Sequence, residues 1–228
     1  MDIYDQFFAD QELDELLMDA EFPPGSQLEA ARARLWEGDY KASSALVAGG
    51  DEPWASLLLA EARARAGQPA TRPLLAIAED AWKESRSRLW AWTALRKLGE
   101  KPSAVHVGEV LGVVVEVPVD GKLDVLAAYA DGSARYLGTA NQLVLKETGG
   151  DLGPLVAAVI GQAYLLLAVP PAPRDKEAPP PSPDQVRLTA LSPNGVHTVS
   201  VPWAEVEPGG KFNGVFDAAI ALLQDLTA

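Results

Sequence analysis

Residues 89–121, LWAWTALRKLGEKPSAVHVGEVLGVVVEVPVDG, hold the change of pattern that decides the fold. The first part is rich in alanine and leucine and closes on Leu98-Gly99, which predicts a helix over 85–98. Lys101-Pro102 interrupts it. Val110–Val117 (VLGVVVEV) is then dominated by β-branched residues, a strand signal, and Asp120-Gly121 is a hairpin turn. The boundary predicted here separates a helical domain, 1–101, from an α+β domain, 102–228.

Working upstream, the same helix–break–helix pattern predicts helices over 26–37, 39–48, 53–66 and 70–82. Ser26 and Glu29 form a capping box at the start of the first. Residues 2–20 predict one amphipathic helix with Ile3, Phe7, Phe8, Leu13, Leu16 and Leu17 on its apolar side. Its apolar face must be covered, by this chain or by a partner, because each large side chain left in water forfeits roughly 1.5–3 kcal/mol. Downstream, strands are expected at 123–130, 134–137 and 142–147, then an apolar helix over 152–168. A proline-rich exposed loop, 170–184, precedes strands 185–191 and 196–202 and a final helix near 212–227. The fold class is therefore α followed by α+β: helical hairpins of repeat-like character, then an antiparallel sheet with two helices on one face.

Gly38, Gly67 and Gly99 recur at intervals of 29 and 32 residues, each with an alanine five places earlier (Ala33, Ala62, Ala94). With ARARLWEGDYKASSAL (31–46), LAEARARAGQPATRPLL (59–75) and LWAWTALRKLGEKP (89–102), this stretch resembles tetratricopeptide-type repeats. The resemblance implies a packed helical scaffold with a binding surface, and no particular ligand. LDVLAAYADGSARYL (123–137) and VRLTALSPNGVHT (186–198) are similar to a family of bacterial proteins with no assigned activity, which implies a domain and no chemistry.

Composition narrows function by exclusion. The chain of 228 residues has no cysteine and two histidines, His106 and His197, so thiolate chemistry and multi-histidine metal sites are out. His197 beside the turn Ser192-Pro193-Asn194-Gly195 reads as an exposed strand residue, and His106 as a connector residue. Asp120-Gly121 and Asp131-Gly132 lack the spacing of calcium or phosphate loops. Asp124 and Asp131 would make an acid–base pair only if the fold brought them together. No catalytic, metal or cofactor site is expected.

The net charge of −13 argues against nucleic acid and anionic membranes as partners. Residues 1–24 carry eight acids and no base, unlike a signal peptide, and the apolar run at 152–169 is broken by glycine and proline. A cytoplasmic location is expected. Arg32 and Arg34, Arg63 and Arg65, and Arg86 and Arg88 form three Arg-x-Arg pairs, read as a basic ridge that could receive the acidic N-terminal segment. Trp36, Trp54, Trp82, Trp90 and Trp92 are expected to pack between helices. Trp90 and Trp92, two apart, cannot share one helix face, so at least one of them should point away from the local core, onto the second domain or else onto a partner. The function read from this is a non-catalytic protein–protein interaction module, of adaptor, immunity or assembly-accessory type, in a bacterial cytoplasm. Its partner would be a protein with a basic surface. The partner-binding candidates are Phe7, Phe8, Leu16, Arg32, Arg34, Arg63, Arg65, Trp90 and Trp92. The alternative is an enzyme or small-ligand sensor with a site between the halves.

Overall fold

The computed structural model describes residues 5–139, 142–146 and 152–227. The chain divides into two compact units, one of Ala9–Pro102 and one of Gln6–Phe8 with residues from Ser103 onward.

The helical unit contains α2 (Leu13–Asp19), α3 (Gln27–Trp36), α4 (Tyr40–Val47), α5 (Pro53–Arg65), α6 (Thr71–Ala78) and α7 (Ser85–Lys97); a short α1 (Asp5–Phe8) precedes them. The starts of α3 and α4 are set by side chains. Ser26 Oγ accepts from Glu29 N–H at 3.2 Å, and the Glu29 carboxylate reaches Gly25 N–H, one residue before the usual capping-box donor. Asp39 Oδ1 accepts from Ala42 N–H at 3.0 Å and opens α4. The ends of α3, α5 and α7 share one device. At Gly38, Gly67 and Gly99, each in the left-handed region, the glycine N–H returns to the carbonyl three back. The next N–H returns to the carbonyl five back, as in Asp39 to Arg34, Gln68 to Arg63 and Glu100 to Leu95. The repeated glycine spacing is thus a repeated helix cap. Leu35, Leu57, Leu58, Leu74, Ile77, Trp92 and Leu95 form the buried interior.

Two helix expectations need correction. Residues 2–20 are not one helix: the described part breaks at Ala9, whose φ is 49°, and resumes at α2. The break lets Phe7 and Phe8 join the sheet unit while Leu16 and Leu17 are buried with the helical unit, a division one straight helix cannot make. Ile3 lies outside the described residues. The second correction is at 70–82, where α6 stops at Ala78. The Ala78 carbonyl, which a longer helix would need for the N–H of Trp82, instead accepts from Arg88 Nε at 3.0 Å and Trp92 Nε1 at 3.1 Å. Trp82 N–H turns to Asp80 Oδ1 at 3.0 Å.

The second unit is a six-stranded antiparallel sheet with α8 (Gly153–Gln162) and α9 (Asn213–Leu226). Its strands are β1 (Gly112–Val119), β2 (Lys122–Tyr129), β3 (Ala134–Leu137), β4 (Leu143–Lys146), β5 (Gln185–Ser192) and β6 (Gly195–Pro202), in the order β4-β3-β2-β1-β5-β6. Helix α8 continues as a 3-10 helix over Ala163–Ala168, where one longer α-helix was expected. Both hairpin turns follow the sequence: Asp120-Gly121 has positive φ at both residues, and Gly132 closes a bulged three-residue loop in which Tyr129 N–H meets the Ser133 carbonyl.

Register sorts the sheet into two faces. Val113, Val115, Leu126, Ala128, Leu188 and Ala190 pack under Val156, Val159, Val215, Ala219 and Leu222 of the two helices. The alternate residues, Val114, Glu116, Val125, Ala127, Tyr129, Thr189 and Leu191, line the other face and are also buried. There the Tyr129 hydroxyl donates to the Phe7 carbonyl at 2.8 Å. The proline-rich segment is mostly exposed, as composition requires, yet tied at several points. Ala172 bridges to Val196, Arg174 lies 4.3 Å over the Phe8 ring, and the Arg187 guanidinium donates to the Pro179 carbonyl.

Candidate functional site

The apolar side chains proposed for partner binding are inside the chain. Phe7, Phe8, Leu16, Trp90 and Trp92 are all buried. Trp90 packs on Trp54 and Trp92 bonds to the Ala78 carbonyl, both within the helical unit, so the expectation that one of them points away from the local core is corrected. Helix α7 is buried around most of its circumference, at Ser85, Ser87, Arg88, Leu89, Trp90, Ala91, Trp92 and Leu95, so residues two apart both find cover. Trp90 Nε1 donates to Gln11 Oε1 at 3.0 Å.

The arginine pairs do not make one ridge against the acidic segment. Arg32 donates to the Ala20 carbonyl and lies over Phe22. Phe22, Trp54 and Trp90 follow as an aromatic row with centroids 5.5 and 5.6 Å apart, and Arg86 lies 4.8 Å over Trp90 at its end. Arg65 lies 4.4 Å over Trp36 and pairs with Glu61 at 2.6 Å, Arg34 pairs with Glu37 at 2.9 Å, and Arg88 is buried. Arg63 is half-buried on α5. Arg32, Arg65 and Arg86 cover aromatic faces, where their stacking adds to packing. The acidic segment does meet bases of α7: Glu12 pairs with Lys97, and Asp10 acts electrostatically on Arg96, whose pKa burial lowers.

Two tryptophans behave otherwise: Trp36 is 38% exposed beneath Arg65, and Trp82 is almost bare. Trp82, in the turn between α6 and α7, is 96% exposed. Packing was the sequence expectation, and it fails here because α6 ends four residues earlier. Asp80, placed to accept the N–H two residues on, is the turn signal in the sequence. The surroundings are acidic: Glu79, Asp80 and Glu84 are close in sequence, and Lys83 Nζ donates to the Asp51 carbonyl, next to exposed Asp51 and Glu52.

Two grooves lie within the units. In the helical unit a space of ≈ 150 Å³ is lined by Gln11, Glu12, Leu13, Ala60, Leu74 and Lys97 among others. In the sheet unit a mainly apolar groove of ≈ 190 Å³ runs between β1–β3 and α9. Its polar floor is Asp124 and Tyr136. Tyr136 Oη donates to Asp124 Oδ2 at 2.9 Å, and Thr139 N–H to Asp124 Oδ1 at 2.7 Å. Burial, the Asp124 hydrogen bond and the carboxylate charge together push the Tyr136 hydroxyl up to about 12. Asp131 instead binds Ser133 N–H and Oγ in the turn beyond the other end of β2, so the two aspartates are not an acid–base pair.

His197 is buried, contrary to the exposed position expected of it. Its partner in β5 is Ala190, on the helix-covered face. Nδ1 donates to the Val169 carbonyl at 2.6 Å and Nε2 faces Ser192 Oγ at 2.9 Å. The pair has serine–histidine spacing without the access or backing of a nucleophile. Ser192 is equally buried, its oxygen accepts Asn194 N–H, and a carbonyl stands where a carboxylate would orient the imidazole. It is a knot joining the hairpin to the start of the proline-rich segment. His106, half-buried, meets Glu109 Oε1 at 2.8 Å. Among the described residues no three His, Asp or Glu side chains gather as a metal site requires, and no helix is long and apolar enough to cross a membrane.

No protein-family model matches this chain, and neither a curated protein nor a solved structure matches it.

Proposed function

We propose that the protein is a non-catalytic interaction module of a bacterial cytoplasm, and that its helical unit engages a protein with a basic surface. The carrying observation is Trp82, presented to water at 96% exposure on a turn edged by carboxylates. An indole that could be buried contributes heavily at interfaces, and tryptophan is enriched among the residues that dominate binding energy. The carboxylate rim would steer a basic partner and set its orientation. This reading moves the contact from the buried Phe7, Phe8, Leu16, Trp90 and Trp92 to the turn at 79–84.

The test is affinity capture with the unaltered chain, Trp82→Ala, and Glu79→Lys combined with Glu52→Lys. Both variants should melt with the unaltered chain, since the altered side chains are exposed or half-exposed. A genuine partner is lost in Trp82→Ala and weakened by the charge reversal and by salt. An identical set of captured proteins in all three samples would refute the reading.

A further inference from the structure

We infer that the groove between β1–β3 and α9 is a binding site for a small hydrophobic ammonium compound, an aryl- or alkylamine of about nine non-hydrogen atoms. Size comes first. At ≈ 190 Å³ the groove exceeds the about 150 Å³ that accommodates a benzene ring in an apolar protein cavity, leaving room for a short side arm. Its walls, including Val117, Leu126, Phe216 and Leu223, are aliphatic or aromatic.

Charge comes second. Among the described residues that line the groove, Asp124 is the one ionisable acid or base apart from the Tyr136 phenol, and no lysine, arginine or histidine is among them. The nearest lysine in β2, Lys122, donates to the Thr139 carbonyl at 2.8 Å. Each Asp124 oxygen accepts one hydrogen bond, from Thr139 N–H and Tyr136 Oη. A carboxylate offers about four lone-pair positions, so two remain for a ligand. Both existing bonds fix the carboxylate in place, so an ammonium group would meet a preorganised acceptor at the edge of an apolar surface. An anionic ligand would meet repulsion there, and a neutral alcohol would gain a weaker hydrogen bond.

The experiment is an NMR titration of the ¹⁵N-labelled full chain with 2-phenylethylamine, 2-phenylethanol and phenylacetate at millimolar concentrations. The amine should shift amides of β1–β3 and α9 and bind about tenfold tighter than the alcohol. Phenylacetate should cause no such shifts. Asp124→Asn should erase the amine's advantage while keeping alcohol binding. Ile220→Trp, at a position 39% exposed, should block both ligands without disturbing the fold. If Asp124→Asn fails to fold, the amine-to-alcohol ratio in the unaltered chain decides. Binding of phenylacetate as tight as the amine, amine binding unaffected by Asp124→Asn, shifts centred elsewhere, or no shifts with any of the three would each overturn the inference.

Discussion

The helical unit and the sheet unit satisfy buried polar side chains by different means. In the helical unit Arg88, Trp92 and Arg32 use carbonyls left over near helix ends, whereas Trp90 uses Gln11 Oε1 and Ser87 uses Glu84 Oε2. Arg88 and Trp92 both use Ala78, and Arg32 uses Ala20. In the sheet unit the ladders occupy most of the backbone, so buried polar side chains pair across strands. Thr189 Oγ1 meets Thr198 Oγ1 at 3.1 Å, Arg187 meets Glu116 at 3.3 Å, and Tyr136 meets Asp124. Tyr129 and His197 instead reach carbonyls of Phe7 and Val169, both outside strands, Arg187 also reaches the Pro179 carbonyl, and Ser133 Oγ uses Asp131 within its own turn. A helix end is therefore a forgiving partner. A cross-strand pair must match atom for atom, and Glu116 Oε2 is left buried without a hydrogen-bond partner among the described residues; the helical unit leaves Ser43 Oγ in the same state.

The largest expected effect tests the helical side of this contrast. Trp92 is fully buried and holds the end of α6 through Ala78. Trp92→Ala should cost about 3–5 kcal/mol in urea unfolding, through the cavity and the lost bond. Trp92→Phe should cost clearly less, since the ring volume is mostly kept. Equal losses for the two would mean that the Ala78 bond, rather than packing, dominates there.

What sequence could reveal divides along the same line. The helices between Gln27 and Lys97 and all six strands lie within two residues of their expected ends except at α6, because capping residues, glycines and β-branched runs act locally. The α6 end depended on Arg88 and Trp92 reaching Ala78 from the next helix, a tertiary event with no local mark. The break at Ala9 is similar: Phe7, Phe8, Leu16 and Leu17 have helical spacing, but the two pairs are buried in different units. Asp124 and Tyr136 were legible as strand residues. Their meeting needed the register that sets Leu126 opposite Tyr136. Trp82 was read by residue type, and type alone sends tryptophan inward.

Glycines sharpen the contrast at intermediate size. Gly67 caps a helix with φ at +66°, and a Cβ there would meet nothing within 4 Å. Gly112 in β1 has ordinary φ, but its Cβ would stand 3.0 Å from Tyr129 Cδ1 and 3.2 Å from Leu191 Cδ1. Gly112→Ala should cost about 1–3 kcal/mol through overpacking, and Gly67→Ala about 1–2 kcal/mol through backbone strain alone. Trimming the neighbour separates the two causes. Leu191→Ala should reduce the added cost of Gly112→Ala in a double-mutant cycle, and no neighbour can do so for Gly67→Ala. Additive behaviour at Gly112 would count against the steric account.

Glu116 carries the smallest expected effect and the one whose sign is least obvious. Burial raises its pKa, and Arg187, Arg174 and the Arg187 hydrogen bond only partly offset that rise. The folded chain therefore holds this proton more tightly than the unfolded chain, whose ordinary value is near 4.5. Stability from this group is complete below the unfolded value. It falls as pH rises through the interval up to the raised folded value, because the unfolded state releases the proton first. An amide at this position cannot titrate and mimics the neutral carboxyl, so Glu116→Gln should gain relative to the unaltered chain between about pH 4 and pH 7. Urea midpoints at both pH values measure the change directly. A variant that loses ground as pH rises would mean that Arg187 and Arg174 outweigh burial at Glu116. The cross-strand pair would then be as well matched as the helix-end carbonyls.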